Sequence, residues 1–138
     1  MSLAFTGTSG PMTTMQKTVL EDNIRGLRYF YAFFSHGDCV SADAFAHAVA
    51  LDAGYKIIIH PPLNTAKRAY CQGAVAWRAP KPYLERNKNI IDESRRLIAA
   101  PNTMTEVIRS GTWSTIRYAE KKGMHINIIL PDGSIVYR

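Results

Sequence analysis

Cysteine is scarce in this sequence: Cys39 and Cys71 are the only two among 138 residues. They stand too far apart to form a short-spaced metal-ligand pair. Nothing near the N-terminus combines a basic start, an apolar run and a cleavage site, so the expectation is a reduced, cytoplasmic protein. Long apolar runs are also missing. No stretch approaches the roughly 20 residues of a membrane-spanning helix, which excludes a helical span. The chain has no internal repeat and no linker, so residues 1–138 read as one domain. The Gly-x-Ser-x-Gly elbow of a Ser/His/Asp hydrolase is absent. His36 and His60 each end a strand-like run without a matching carboxylate or cysteine cluster, so no metal is expected. A dense basic run is lacking too, although the net charge is +6. Arginines and lysines from Arg25 to Lys122 are scattered, as on solvated faces. Nucleic acid is therefore the less favoured partner.

What is present is an ordinary globular composition, 46% apolar and 20% charged. A chain of this length buries roughly two thirds of the surface that its unfolded form exposes. LAFTGTS, from Leu3 to Ser9, is a short apolar run entering a glycine turn and suits a buried strand. Thr13 or Thr14 is placed to cap a helix through Met15, Val19, Leu20, Ile24 and Leu27. RYFYAFFSHG suggests a second strand. Ser41 is the expected cap of SADAFAHAVALDAG, which Gly54 ends. KIIIHPP is a third strand, stiff in its isoleucines and stopped by Pro61 and Pro62. After the looser AYCQGAVAWRAPKP, a helix begins near Tyr83, RLIAAP is a fourth strand, and the last helix runs from the RSGTWS stretch to Gly123. HINIILP is a fifth strand, and GSIVYR is an edge strand or a tail. Strands alternating with helices predict an α/β, Rossmann-like three-layer fold with a mainly parallel sheet of five or six strands.

Such sheets bind ligands beyond the carboxyl ends of their strands, where the strand order reverses. With the order 3-2-1-4-5, the loops after strands one and four flank that crevice. These are GTSG, with Gly7, Thr8 and Ser9, and RSGTWS, with Arg109, Ser110, Gly111, Thr112 and Ser114. Glycine lets the backbone approach closely, hydroxyls donate, and a helix start offers unpaired N–H groups, all of which suit a phosphate. Each loop alone also reads as a turn with a helix cap. A third loop, HGDCVSADAFA, contains Gly37 and Asp38. Asp38 is either a turn residue or an acceptor for ribose hydroxyls, Asp43 either caps or pairs internally or reaches a ligand, and His47 packs. Near the third helix start, Arg86 suits bidentate phosphate recognition, Tyr83 is placed to stack on a base, and Asn87 lies beside them. Trp113 reads as packing, with stacking left open. The apolar AVAW segment near Trp77 belongs either to the core or to an interface between copies, so a homo-oligomer is a candidate state.

The succession FTGTSG, HGDCVSADAFAHA, HPP, PYLERNKNIID, LIAAP and RSGTWSTIRYA resembles the small bacterial and phage members of the SLOG superfamily. That superfamily of Rossmann-like nucleotide-binding proteins includes the DNA-processing protein A domain and the lonely-guy phosphoribohydrolases. The likeness runs from about Leu3 to Leu130. It implies a pocket for a nucleotide or nucleotide-derived small molecule, in the manner of SLOG domains thought to sense signalling nucleotides, with no resident cofactor. In the lonely-guy enzymes a Glu-Arg pair and a Glu after a glycine loop carry N-glycosidic cleavage. Glu85 and Arg86 match the pair, and Gly111 and Thr112 match the end of the loop. Thr115 replaces the carboxylate. A cleavage through a cation-like sugar needs an anion or base nearby, so the resemblance implies binding rather than that hydrolysis, with Asp38 the candidate substitute.

Overall fold

The computed structural model describes residues 2–138. Seven strands and four helices follow one another as β1 (Ser2–Gly7), α1 (Thr14–Leu27), β2 (Phe33–His36), α2 (Ala42–Asp52), β3 (Lys56–Ile59), β4 (Ala76–Trp77), α3 (Tyr83–Asp92), β5 (Arg96–Ala100), α4 (Gly111–Lys121), β6 (His125–Ile129) and β7 (Ile135–Tyr137). They form one sheet in the order β4-β3-β2-β1-β5-β6-β7. Every pairing is parallel except that of β6 with β7. The three-layer, mainly parallel α/β arrangement read from the sequence is the one found. The sheet is wider than five or six strands because AYCQGAVAW contributes the two-residue β4, too short to leave a periodic signal.

Alternation along the strands sends side chains to two cores. Leu3 and Phe5 of β1 and Ile98 and Ala100 of β5 meet α1 and α2 on one face. Ala4, Leu97 and Ala99 meet α3 and α4 on the other. Phe5, Phe34, Ile57 and Leu97 are among the largest fully buried side chains. Burial of such a side chain contributes roughly 1.5–3 kcal/mol. Gly7 ends β1 where a Cβ would lie 2.5 Å from Ala42 Cβ, so α2 packs this closely only against glycine.

The helix starts follow the caps. Thr13 caps α1, its hydroxyl oxygen accepting from Gln16 N–H at 3.0 Å. The buried Gln16 amide donates to Pro101 O at 2.7 Å and Ile129 O at 2.9 Å, which ties α1 to the carboxyl ends of β5 and β6. Two expectations shift. The second strand begins only at Phe33, because Phe30 and Tyr31 N–H close a turn onto Leu27 O and leave Tyr29 and Phe30 exposed. Ser41 precedes α2 but does not cap it with its side chain: its φ of 69° swings the hydroxyl away, to donate to Gly10 O.

The chain runs outward from β1 to β2, β3 and β4, then crosses back through α3 to β5 on the other side of β1. The reversal therefore lies between β1 and β5. Their carboxyl ends part into the β1–α1 and β5–α4 loops. Of the segment near Trp77, Val75 and Trp77 are 57% and 54% exposed on the outer strand, so it is not core.

Candidate functional site

A cavity of about 610 Å³ opens above the β1/β5 reversal. Phe5 and Thr6 of β1 line it with Gly7, Thr8 and Ser9. Gly37, Cys39 and Asp43 come from the β2–α2 region, and Asn64, Ala66 and Lys67 from the segment after β3. Tyr83, Arg86, Asn87 and Ile90 belong to α3, and Asn102, Val107, Arg109, Ser110, Gly111 and Thr112 to the region between β5 and α4.

The two loops expected to flank the crevice do meet there. Thr8 N–H donates to Ala100 O at 3.0 Å, which stitches the end of β1 to the end of β5. Thr8 Oγ1 accepts from Gly10 N–H at 2.9 Å and holds the tight turn. Across the cavity, Ser110 caps α4 by accepting from Trp113 N–H at 3.2 Å. The N–H groups of Gly111 and Thr112 precede the first intrahelical bond and have no protein partner among the described residues. They face the space where an anion is best held, at the positive end of a helix dipole. Arg109 lies beside them, and Lys67 Nζ reaches across to Ser9 Oγ at 3.4 Å.

Arg86 is the buried cation of the site. Its Nη1 donates to Gly37 O and, at 3.1 Å, to His60 O, and its Nε donates to Asn87 Oδ1 at 2.8 Å. Nη2 has no protein partner among the described residues, so one face of the guanidinium is left for a ligand. Gly37 must be glycine for this arrangement, because a Cβ there would lie 2.3 Å from Arg86 Nη1. Tyr83 stacks beneath the guanidinium, 5.4 Å from ring centre to Cζ, and donates from its hydroxyl to Asn64 O at 3.1 Å.

No protein-family model matches the sequence, and no curated protein is similar to it in sequence. Solved structures are similar in shape. A molybdenum cofactor binding protein from the phototrophic bacterium Rippkaea orientalis superposes with a TM-score of 0.72 at 18% identity, covering 94% of this chain and 76% of that one. DNA processing protein A from Streptococcus pneumoniae gives 0.67 at 21% identity, over 92% of this chain and 49% of that one. The Helicobacter pylori protein of the same name, whose single-stranded DNA binding mode is known, gives 0.63 at 20%, over 93% and 64%. This chain thus spans about half to two thirds of the two DNA processing proteins. The chain shares the fold of these proteins.

Within this fold, most of the residues expected at the ligand border the cavity: Gly7, Thr8, Ser9, Gly37, Tyr83, Arg86, Asn87, Arg109, Ser110, Gly111 and Thr112. Asp38 and Ser114 do not. Asp38 is fully buried with a φ of 58°, and that left-handed turn points its carboxylate away from the cavity. There it receives Arg68 Nε at 2.9 Å and Cys71 N–H at 2.9 Å, so it is neither free to accept ribose hydroxyls nor placed to replace a catalytic carboxylate. Burial pushes its carboxyl up, but Arg68 and Cys71 more than offset this and hold it below the usual range. Ser114 is the fourth residue of α4, its N–H bonded to Ser110 O at 2.9 Å, and is not part of the cavity lining. Thr115 is buried and donates to Gly111 O at 2.9 Å, along its own helix. Trp113 packs in the core and donates from its indole to Thr103 Oγ1 at 2.9 Å.

Beside the cavity runs a chain of buried histidines. Asp38 N–H donates to His36 Nδ1 at 2.9 Å, His36 Nε2 meets His47 Nδ1 at 2.9 Å, and His47 Nε2 meets Gln72 O at 2.7 Å. A carbonyl only accepts and an amide N–H only donates, so both rings are fixed as neutral with the proton on Nε2. Burial, then His47, lowers His36 to about 3. Cys71 lies beside the pair, within 4.8 Å of the ring nitrogens. Both lone pairs that a metal would take already accept hydrogen bonds. His47 does more than fill space, since it closes the chain on Gln72.

Sequence reasoning missed Lys67, Asn64 and Asn102. Lys67 sits in an aperiodic segment that only long-range bonds bring to the site: Val40 N–H to Lys67 O at 2.9 Å and Ala69 N–H to Asp38 O at 2.8 Å. Both readings of Asp43 have a counterpart in the structure: it accepts from Cys39 N–H at 3.0 Å, and it borders the cavity.

Proposed function

We propose that the protein binds a nucleotide or nucleotide-derived small molecule through its phosphate, to sense or sequester it. The observation that carries this reading is the convergence on one cavity of two open N–H groups, Gly111 and Thr112, with Lys67, Arg109 and the unpartnered nitrogen of Arg86. Three cations and a helix start around one space favour an anion, and about 610 Å³ is the size of a small-molecule site. The same fold serves a molybdenum cofactor binding protein, which supports a small-molecule ligand. Nucleic acid is the less favoured ligand, because these cations gather around a cavity rather than along a surface stripe.

Gly111→Asp tests the reading. No atom lies within 4 Å of a Cβ built at Gly111, and an acidic side chain in the first helical turn suits the dipole, so the variant is expected to fold as the parent does. It places a negative charge where the phosphate would sit. Calorimetric titration with nucleoside monophosphates is expected to show at least a tenfold loss of affinity, and unchanged affinity with an unchanged melting curve would reject the site.

Asp43 supports a second reading, an N-glycosidic hydrolase acting on nucleotides. It is the one acidic residue bordering the cavity, and burial lifts its carboxyl to about 6, within reach of acid–base work at neutral pH. Release of free base from nucleoside monophosphates would favour this reading. Intact recovered nucleotide would favour the binding protein.

A further inference from the structure

The cavity gathers cations, Lys67, Arg86 and Arg109, with the start of α4 and a single carboxylate in its lining. That carboxylate, Asp43 in the first turn of α2, is 5% exposed. Asp43 does not cap α2, whose N-cap position is Ser41; its carboxylate accepts from Cys39 N–H at 3.0 Å, with the Gly37 backbone beside it. Taking a carboxylate out of water is unfavourable unless its oxygens are matched by donors. Burial pushes Asp43 up to about 6, against the pull of Arg86 and of the Cys39 and Gly37 backbone. Asp38, in the same loop, has its oxygens filled by protein, whereas Asp43 retains acceptor capacity toward empty space.

A ligand can fill that capacity with a cation or with neutral donors. Lys67, Arg86 and Arg109 border the same cavity, so a cationic group would be repelled. Neutral donors remain. Gly37, Cys39 and Arg86 lie around Asp43 in the lining and are small or polar. Hydroxyl-bearing carbons supply such neutral donors.

Resting on the phosphate reading above, we infer that Asp43 recognises the sugar half of the ligand by accepting hydrogen bonds from its hydroxyls, so the site selects sugar phosphates over other phosphate anions. The cations supply attraction, and Asp43 supplies discrimination. A hydroxyl-reading carboxylate rejects analogues that lack the hydroxyl, because it is then left buried and unmatched.

The experiment is calorimetric titration of the full chain with inorganic phosphate and with ribose 5-phosphate, on the parent and on Asp43→Asn. The parent is expected to prefer ribose 5-phosphate by at least tenfold, and Asp43→Asn to lose that preference while keeping its affinity for inorganic phosphate within about twofold. Equal parent affinities, or an equal loss for both probes in the variant, would overturn the Asp43 assignment and leave the phosphate site standing. Binding of neither probe to the parent would remove both. Should the variant fail to fold, the parent alone decides through ribose 5-phosphate against its hydroxyl-free tetrahydrofuran analogue: no difference between them overturns the inference.

Discussion

Asp38 and Asp43 occupy one loop–helix junction and meet opposite surroundings. Asp38 is matched by a guanidinium and an amide and sits below its usual range, while Asp43 has backbone amides alone and is lifted by burial to about 6. The folded-state value of Asp43 lies above its ordinary 3.8. Its protonated form is therefore the stable one in the fold, and the cost of ionisation is absent below about pH 4 and fully present once pH has risen past 6. Asp43→Asn removes that cost. The variant is expected to be more stable than the parent at pH 8, by roughly 1–3 kcal/mol on the scale of about 1.4 kcal/mol per pKa unit, and to match it near pH 4. Denaturant melts at the two pH values check this; a variant less stable than the parent at pH 8 would show that the carboxylate is a structural necessity. A group that weakens the fold while facing the cavity is a familiar signature of function.

At the scale of elements, the segment from Asn64 to Gln72 is held in place mainly by Asp38. Arg68 and Cys71 grip its carboxylate, Ala69 N–H donates to its carbonyl, and Tyr70 adopts a φ of 56° where the segment bends. Asp38→Asn weakens the grip of Arg68, so amides in this segment, Ala69 and Cys71 first, are expected to exchange with deuterium at least tenfold faster. Amides of β1 and α4 should be unchanged. Uniform acceleration everywhere, or none, would refute this role. The same segment marks the limit of what the sequence makes legible. Helices with hydroxyl caps and strands of isoleucine carry local signals, so α1, β3 and α4 are readable residue by residue. A strap fixed by contacts about thirty positions away carries none, so Lys67 goes unseen. In the second strand a local signal misleads: Tyr29 and Phe30 have strand-like side chains, but the turn closing α1 onto Leu27 O claims their backbone. At Asp38, composition suggested a ribose contact; a left-handed φ, which no pattern of residue types reports, turned it away.

At the scale of the whole molecule, acid sensitivity follows from the balance of buried groups. His36 is lowered from 6.5 to about 3 and His60 from 6.5 to about 4, both chiefly by burial. A histidine with a depressed value contributes stability that is complete above 6.5 and is lost as pH falls toward its folded value. Asp43 acts in the opposite direction between about 6 and 4. Two histidines against one aspartate leave the unfolded chain taking up about one proton more, a slope near 1.4 kcal/mol per pH unit. The melting temperature is expected to fall between pH 6.5 and 4, and more steeply in Asp43→Asn; a flat profile would contradict this.

The pairing of β1 with β5 brings together stretches of chain separated by about ninety residues, Leu3 opposite Arg96 through Gly7 opposite Ala100, and the cavity exists only above that seam. No unfolded or half-assembled form can present Ser9 and Gly111 to one molecule at once. Occupancy and thermal endurance are thus the same equilibrium seen from two sides. A library of metabolites can be sorted by heat alone, since any compound that engages this seam must delay its parting.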